Sequence, residues 1–221
     1  MITKLPMKSA VVSSRARLSL AVSESEPAPH WQVALPDLAN DLVTLREVCR
    51  ADAPALCATL STAEVRRYMS PPPGDIPGFE RFVEWAQSER RAGRLMCFAV
   101  VPANSTTAIG LFQVRQVDPE FTVGEWGAAL GSQFWGTGLF TSAAELLFDF
   151  LFDHVGLRRL EARAAVRNGR ANGAARKMGS VPEGVIRQGL SCGGHLFDQL
   201  MWSLLAEDWQ QSKADDHPVV H

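Results

Sequence analysis

Three strand-like runs in close succession constrain this chain more than any other feature: "LMCFAVV" (Leu95–Val101), "TAIGLFQVRQV" (Thr107–Val117) and "TVGEWGAAL" (Thr122–Leu130). Alternation along each run reads as a strand with two unlike faces. The loop between the first two, "PANST", is short enough for a hairpin, and strands so joined pair antiparallel. The third run leads into "SQFWGTGLF" (Ser132–Phe140). There Gly136 and Gly138 precede a helical repeat of Leu139, Ala143, Leu146, Leu147, Phe150 and Leu151 that runs through Phe152. The chain must therefore build an antiparallel sheet whose third strand turns through glycines into a long amphipathic helix.

The flanking segments extend this plan. Upstream, "LVTLREV" (Leu42–Val48) reads as a first strand. Asp52 and Pro54 then mark a helix start, with Asp52 at the N-cap. "STAEVRRYMS" continues as a short helix ended by "PPPGDIPG", and the next helix spaces Phe79, Phe82, Val83 and Trp85 as one stripe. Downstream, "RRLEARAAV" (Arg158–Val166) is a strand, "GRANGAARKMG" a short helix closed by Gly179, and two last strands flank the turn at Cys192–Gly194. Strands and helices in this order predict a mixed α/β (α+β) sandwich in one domain. The expected divisions are an N-terminal arm over 1–40, weakly structured, the domain over 41–210, and a polar tail over 211–221.

Composition sets the outer limits. At 221 residues and 46 % apolar the chain can fill a core. A net charge of −2 gives no global pull toward nucleic acid or an anionic membrane. The stretch Leu139–Leu157 is interrupted by Glu145, Asp149, Asp153 and His154, so it is not a membrane span. Cys49, Cys57, Cys97 and Cys192 are scattered, which points to reduced thiols in a cytoplasmic protein and to no metal site. The first 23 residues carry Lys4, Lys8, Arg15 and Arg17 and no acid, as either a loose basic arm or a targeting segment would.

The glycine loop has two readings on its residues alone. Glycine lets consecutive N–H groups converge, and the helix behind adds unpaired donors and the positive end of its dipole. That combination suits a pyrophosphate. The same residues also make a tight strand-to-helix turn with no ligand. The phosphate-loop lysine of nucleotide hydrolases is missing, and no G-x-G-x-x-G follows the first strand as a dinucleotide site requires.

The wider spacing separates these readings. "EWG" at Glu125–Gly127, "QFWGTG" at Gln133–Gly138, "NGRA" at Asn168–Ala171, "KMGS" at Lys177–Ser180, "EG" at Glu183–Gly184 and "FDQLMWSLL" around Asp198 follow in order. Together they resemble the GNAT superfamily of N-acyltransferases in its RimJ/RimL-like branch, gap-free from Glu125 to Gly184 and more loosely back to Leu42.

The resemblance implies a GNAT-type mixed, mostly antiparallel sheet with helices on both faces, and direct transfer of acetyl from acetyl-CoA to a primary amine. It implies that Gln133, Phe134, Trp135, Gly136, Thr137, Gly138 and Leu139 bind the pyrophosphate, that Ala128, Ala129 and Leu130 pair with the pantetheine arm, and that Asn168 contacts that arm. A helix cap is the other reading of Asn168. Glu125 is the candidate general base, directly or through water, against the reading of a salt-bridged strand carboxylate. The acceptor is a protein N-terminus or a small-molecule amine, with no nucleic acid, membrane or metal involved, and the chain is a monomer or homodimer.

The sequence departs from the family where the leaving thiolate is protonated: the family's Ser and Tyr positions hold Ala171 and Ala175, and Ser180 replaces the usual aromatic. The alternative function is therefore a non-catalytic acyl-CoA-binding or sensing module. Trp31, Trp85 and Trp126 are candidates for an acceptor pocket or for packing, His195 for the acceptor site or a turn, and His154 for a helix C-terminus.

Overall fold

The run at Leu95 becomes β3 (Leu95–Pro102), a strand covered on both faces. The structure, a computed structural model, describes residues 30–216. Ahead of β3 lie α1 (His30–Val33), β1 (Leu38–Ala39), β2 (Val43–Glu47), α2 (Ala53–Leu60), α3 (Ala63–Arg66) and α4 (Ile76–Arg91). After it come β4 (Gly110–Gln116), β5 (Val123–Leu130), α5 (Leu139–Asp149), β6 (Arg159–Ala165), α6 (Gly169–Lys177), β7 (Val181–Cys192), β8 (His195–Leu205) and α7 (Ala206–Asp216). The strands form one eight-stranded sheet in the order β1-β2-β3-β4-β5-β6-β8-β7. Among the described residues only β5 and β6 pair in parallel. This is the mixed, mostly antiparallel sheet expected from the resemblance.

Alternation along β3 feeds two cores. Met96, Phe98 and Val100 join Phe112, Trp126, Leu147, Phe148, Leu151, Trp202 and Trp209 on the face covered by α5, α6 and α7. Leu95, Cys97, Ala99 and Val101 join Leu56, Leu60, Phe79 and Val83 beneath α2 and α4. Burial of both faces explains why β3 reads as nearly continuous apolar sequence, and burial pushes the Cys97 thiol well above its ordinary range.

Several expectations shift. On α4 the buried stripe is Phe79, Val83 and Ala86, whereas Trp85 is 49 % exposed. Asp52 occupies the N-cap of α2 but does not cap it. Burial would raise its carboxyl, yet paired bonds from Arg46 at 2.6 and 2.8 Å and the Cys49 N–H at 2.9 Å outweigh burial and hold it low. The packed body also starts before residue 41. Trp31 and Leu35 are buried in the core, and β1 pairs with β2. The body likewise continues past residue 210 in α7, where Trp209 packs on Phe148 and its Nε1 donates to Asp149 at 2.8 Å. The basic stretch before residue 24 lies outside the described residues. The long helix ends in a π-helical segment, Phe150–Val155, closed by Gly156.

The final hairpin is irregular. Register shifts at Pro182/Gly184 and Ile186/Leu190 interrupt the β7 ladder, and Asp198 Oδ1 accepts the Gln188 N–H at 2.8 Å to hold the second. At its tip, the Cys192 thiol donates to the Met69 carbonyl at 3.1 Å, and Phe197 meets Tyr68 edge-on at 5.7 Å. The hairpin is thereby tied to the segment after α3.

Candidate active site

β5 and β6 can run parallel because α5 returns the chain from the end of one to the start of the other. They pair at only three positions, Val123↔Arg159, Gly124↔Leu160 and Glu125↔Glu161. Beyond Glu125, β5 follows β4 to Leu130, while β6 follows β8 to Ala165. The strands part and leave a wedge. Along it the β5 backbone has no strand partner on the β6 side, so an extended ligand can complete the ladder there. Gly127 and Ala128 are exposed, and a Cβ built on Gly127 would meet nothing within 4 Å. Ala129 turns toward the α2/α4 core, and Leu130 is buried.

The glycine loop forms one rim at the open end. Ser132–Phe134 make a 3-10 turn, and Phe134, Trp135 and Leu139 pack on the core as its anchors. Trp135 Nε1 also donates to the Leu130 carbonyl at 3.0 Å. Gly136 and Gly138 sit at φ +76° and +87° with open space where a Cβ would project. Among the described residues, no protein acceptor takes the N–H groups of Gly136, Thr137 or Gly138. No side chain caps the first turn of α5 behind them. These N–H groups are thus left without protein acceptors on the open rim, while the loop's apolar side chains hold it in place.

The opposite rim is the start of α6. Asn168 caps that helix, its Oδ1 accepting the Ala171 N–H at 3.1 Å, which leaves Nδ2 unspent. Buried Asn172 locks the helix to the strand: its Nδ2 donates to the Ala165 and Val166 carbonyls at 3.0 and 3.2 Å, and its Oδ1 accepts from Trp202 Nε1 at 3.0 Å. Ala175 faces the core and Ala171 is half-buried.

At the vertex the wedge carries charge. Glu125 Oε2 accepts from Arg115 Nη2 at 2.7 Å, with Arg163 Nη2 at 3.8 Å, and its Oε1 has no partner among the described residues. Glu161 stands in register beside it, its Oε1 bound by Arg159 Nε at 2.9 Å. Arg159 also grips Glu183 through both carboxylate oxygens, at 2.6 and 2.8 Å, and Ser203 Oγ donates to Glu183 at 2.7 Å. The Arg159 bonds, with help from Ser203, pull the Glu183 carboxyl down to about 2.

The wedge thus gathers Glu125, Ala128–Leu130, Gln133–Leu139 and Asn168 in one place. It does not gather the tryptophans: Trp31 and Trp126 are core residues, and Trp85 lies on the surface of α4. His195 is exposed at the hairpin turn. Sequence reasoning missed Arg115 and Glu161, which only strand register brings to Glu125, and Arg170, which lies within the quoted "NGRA". A cavity of about 790 Å³ lies at the other end of the sheet, lined by Trp31, Leu38, Gly93, Phe121 and His154, apart from all these groups. Among the described residues no cluster of His, Cys, Asp or Glu is placed to hold a metal, and no helix is long and apolar enough to cross a membrane.

A sheet splayed between two parallel strands, with a donor-lined glycine loop at its mouth, has counterparts among known proteins. The chain matches the family described as an acetyltransferase (GNAT) domain over residues 43–181, more than half its length. It belongs to the GNAT family of acetyltransferases. The uncharacterized N-acetyltransferase p20 of Bacillus licheniformis is 27 % identical over 173 residues, spanning 78 % of this chain and 97 % of p20. Ribosomal-protein-S5-alanine acetyltransferase from Vibrio fischeri superposes with a TM-score of 0.70 at 20 % identity, over 79 % of this chain and 98 % of that one. RimL, a ribosomal L7/L12 α-N-protein acetyltransferase solved with coenzyme A, gives 0.71 at 17 % identity, over 77 % and 98 %. At these identities the two superpositions show the shared fold.

Proposed function

We propose that the wedge binds acetyl-CoA and that the chain transfers the acetyl group directly to a primary amine, either a protein N-terminal amine or that of a small molecule. The observation that carries this reading is the set of N–H donors at Gly136–Gly138 without acceptors among the described residues, after a strand that parts from β6 beyond Glu125. Convergent N–H groups ahead of a helix suit a diphosphate. RimL, which shares the fold, was solved holding coenzyme A.

Bound acetyl-CoA supplies an activated thioester. In this reading the backbone from Gln133 to Leu139 holds the pyrophosphate, and Ala128–Leu130 pair with the pantetheine amides and turn an N–H toward the acyl oxygen. Asn168 presents Nδ2 to the same arm. Glu125 Oε1 takes the proton of the attacking amine, directly or through water, while Arg115 on Oε2 fixes the carboxylate. Neither Ala171 nor Ala175 can return a proton to the leaving sulfur, so solvent does. We place the reaction in the cytoplasm, where the four free cysteines stay reduced.

Those two alanines also favour a second reading, a domain that binds acyl-CoA without turnover. Thiol release from acetyl-CoA, measured against peptides with free N-termini and a panel of small amines, decides between them. Turnover with any acceptor is expected. Tight CoA binding with no release across the panel would leave the binding module.

A further inference from the structure

The proposed pyrophosphate loop has an electrostatic gap. No charged side chain occurs between Glu125 and Glu145, so the whole loop and the first turn of α5 are neutral. A diphosphate held there would meet the partial positive charges of the N–H groups and the helix dipole, but no full positive charge from the loop. The missing cation stands on the other rim. The Arg170 guanidinium, in the first turn of α6, lies 3.9 Å over the ring of Trp135, which is itself part of the loop.

Three features make this contact more than a surface stacking. Trp135 is fixed, because its ring packs on the core and its Nε1 is bonded to the Leu130 carbonyl. Arg170 has no carboxylate partner among the described residues, so its charge is not already spent. The contact also bridges the two rims, from the loop after β5 to the helix after β6. Stacking leaves the edge of a guanidinium, with its N–H fork, free to bind phosphate oxygens.

We propose that Arg170 supplies the positive charge for the donor's pyrophosphate, held ready by its stack on Trp135. The assignment rests on the acetyl-CoA reading and adds a residue outside the glycine loop to it. Arg170 is a binding residue here and takes no part in the chemical step.

The test compares donors that differ in phosphate. Arg170→Ala should weaken binding of CoA and of dephospho-CoA alike, by roughly tenfold to a hundredfold, as loss of a charge-assisted hydrogen bond does. With S-acetylpantetheine, which has no phosphate, kcat/KM should stay within about twofold, since nothing Arg170 touches has been removed. Arg170→Lys keeps the charge but loses the fork and the flat stack, and should recover only part of the affinity. Equal losses with all three donors, or a lowered melting temperature in Arg170→Ala, would show a structural role and overturn the assignment. A loss seen with CoA but absent with dephospho-CoA would move the residue to the 3′-phosphate and overturn it too. If the wild-type chain binds no CoA, the acetyl-CoA reading fails first and takes this assignment with it.

Discussion

Three carboxylates share one face of the sheet, and their free oxygens sort them. Both oxygens of Glu183 are engaged by Arg159 and Ser203, so this group can only hold β6, β7 and β8 together. Its carboxyl is lowered from 4.5 to about 2, first by Arg159. A lowered carboxyl adds stability that is complete above its unfolded value and disappears as pH falls through the folded one. Urea midpoints of the wild type should therefore decline from pH about 4.5 toward about 2, and Glu183→Gln should flatten that limb; partial exposure keeps the effect small. An unchanged slope would remove Glu183 from the acid response. Glu125, by contrast, keeps Oε1 open at the vertex. Glu125→Gln should cut kcat by about 10²–10⁴ while CoA affinity stays within about twofold. Glu161 Oε2 likewise has no partner among the described residues, so Glu161→Gln is the control, expected to cost less than about tenfold. The reverse ranking would assign the base to Glu161.

At the level of elements, β5 explains why the site was partly legible. Its small residues weaken it as a strand, and that weakness is what the wedge uses. Gly127 needs no glycine for its neighbours, since a Cβ there meets nothing within 4 Å, nor does it adopt a positive φ. A glycine kept at a strand position at a cost in β-propensity leaves room for something else. Gly127→Val should hold or raise the melting temperature and yet abolish turnover; retained turnover would mean that nothing passes over that position. The motif spacing from Glu125 to Gly184 located the loop, the vertex carboxylate and Asn168, because local chain geometry sets all of them. Strand register was not legible. Arg115 and Glu161 reach Glu125 only through pairings between separate strands, and no local pattern fixes which residues stand opposite. The short elements α1 and β1 were hidden for a related reason. Trp31 and Leu35 are buried in the cluster that holds Phe121 and the α5 residues, Trp31 meeting Phe121 edge-on at 5.3 Å, rather than through any periodicity of their own.

For the molecule as a whole, the wedge is a seam between two half-sheets, one of β1 to β5 and the other of β6 to β8. The halves are joined by three residue pairs at the vertex, by the core under α5, by the Arg170 stack on Trp135 across the rims, and at the far end by the hairpin contact of Cys192 and Phe197 with the segment after α3. A ligand that pairs with β5 along the wedge would add backbone pairing where β5 and β6 have none, and would bind the folded state alone. Linkage then requires a stability gain set only by affinity and concentration, about 2.7 kcal/mol at a hundredfold excess over Kd. The wild-type melting temperature should climb with CoA, by roughly 5–11 °C at that excess for a domain of this size. Gly136→Trp places a large side chain on the donor rim at φ +76°. The variant should melt cooperatively at its own temperature and show no rise with CoA at any concentration. A rise as large as the wild type's would mean that the ligand does not lie on this loop, since the same seam would still be tied from somewhere else.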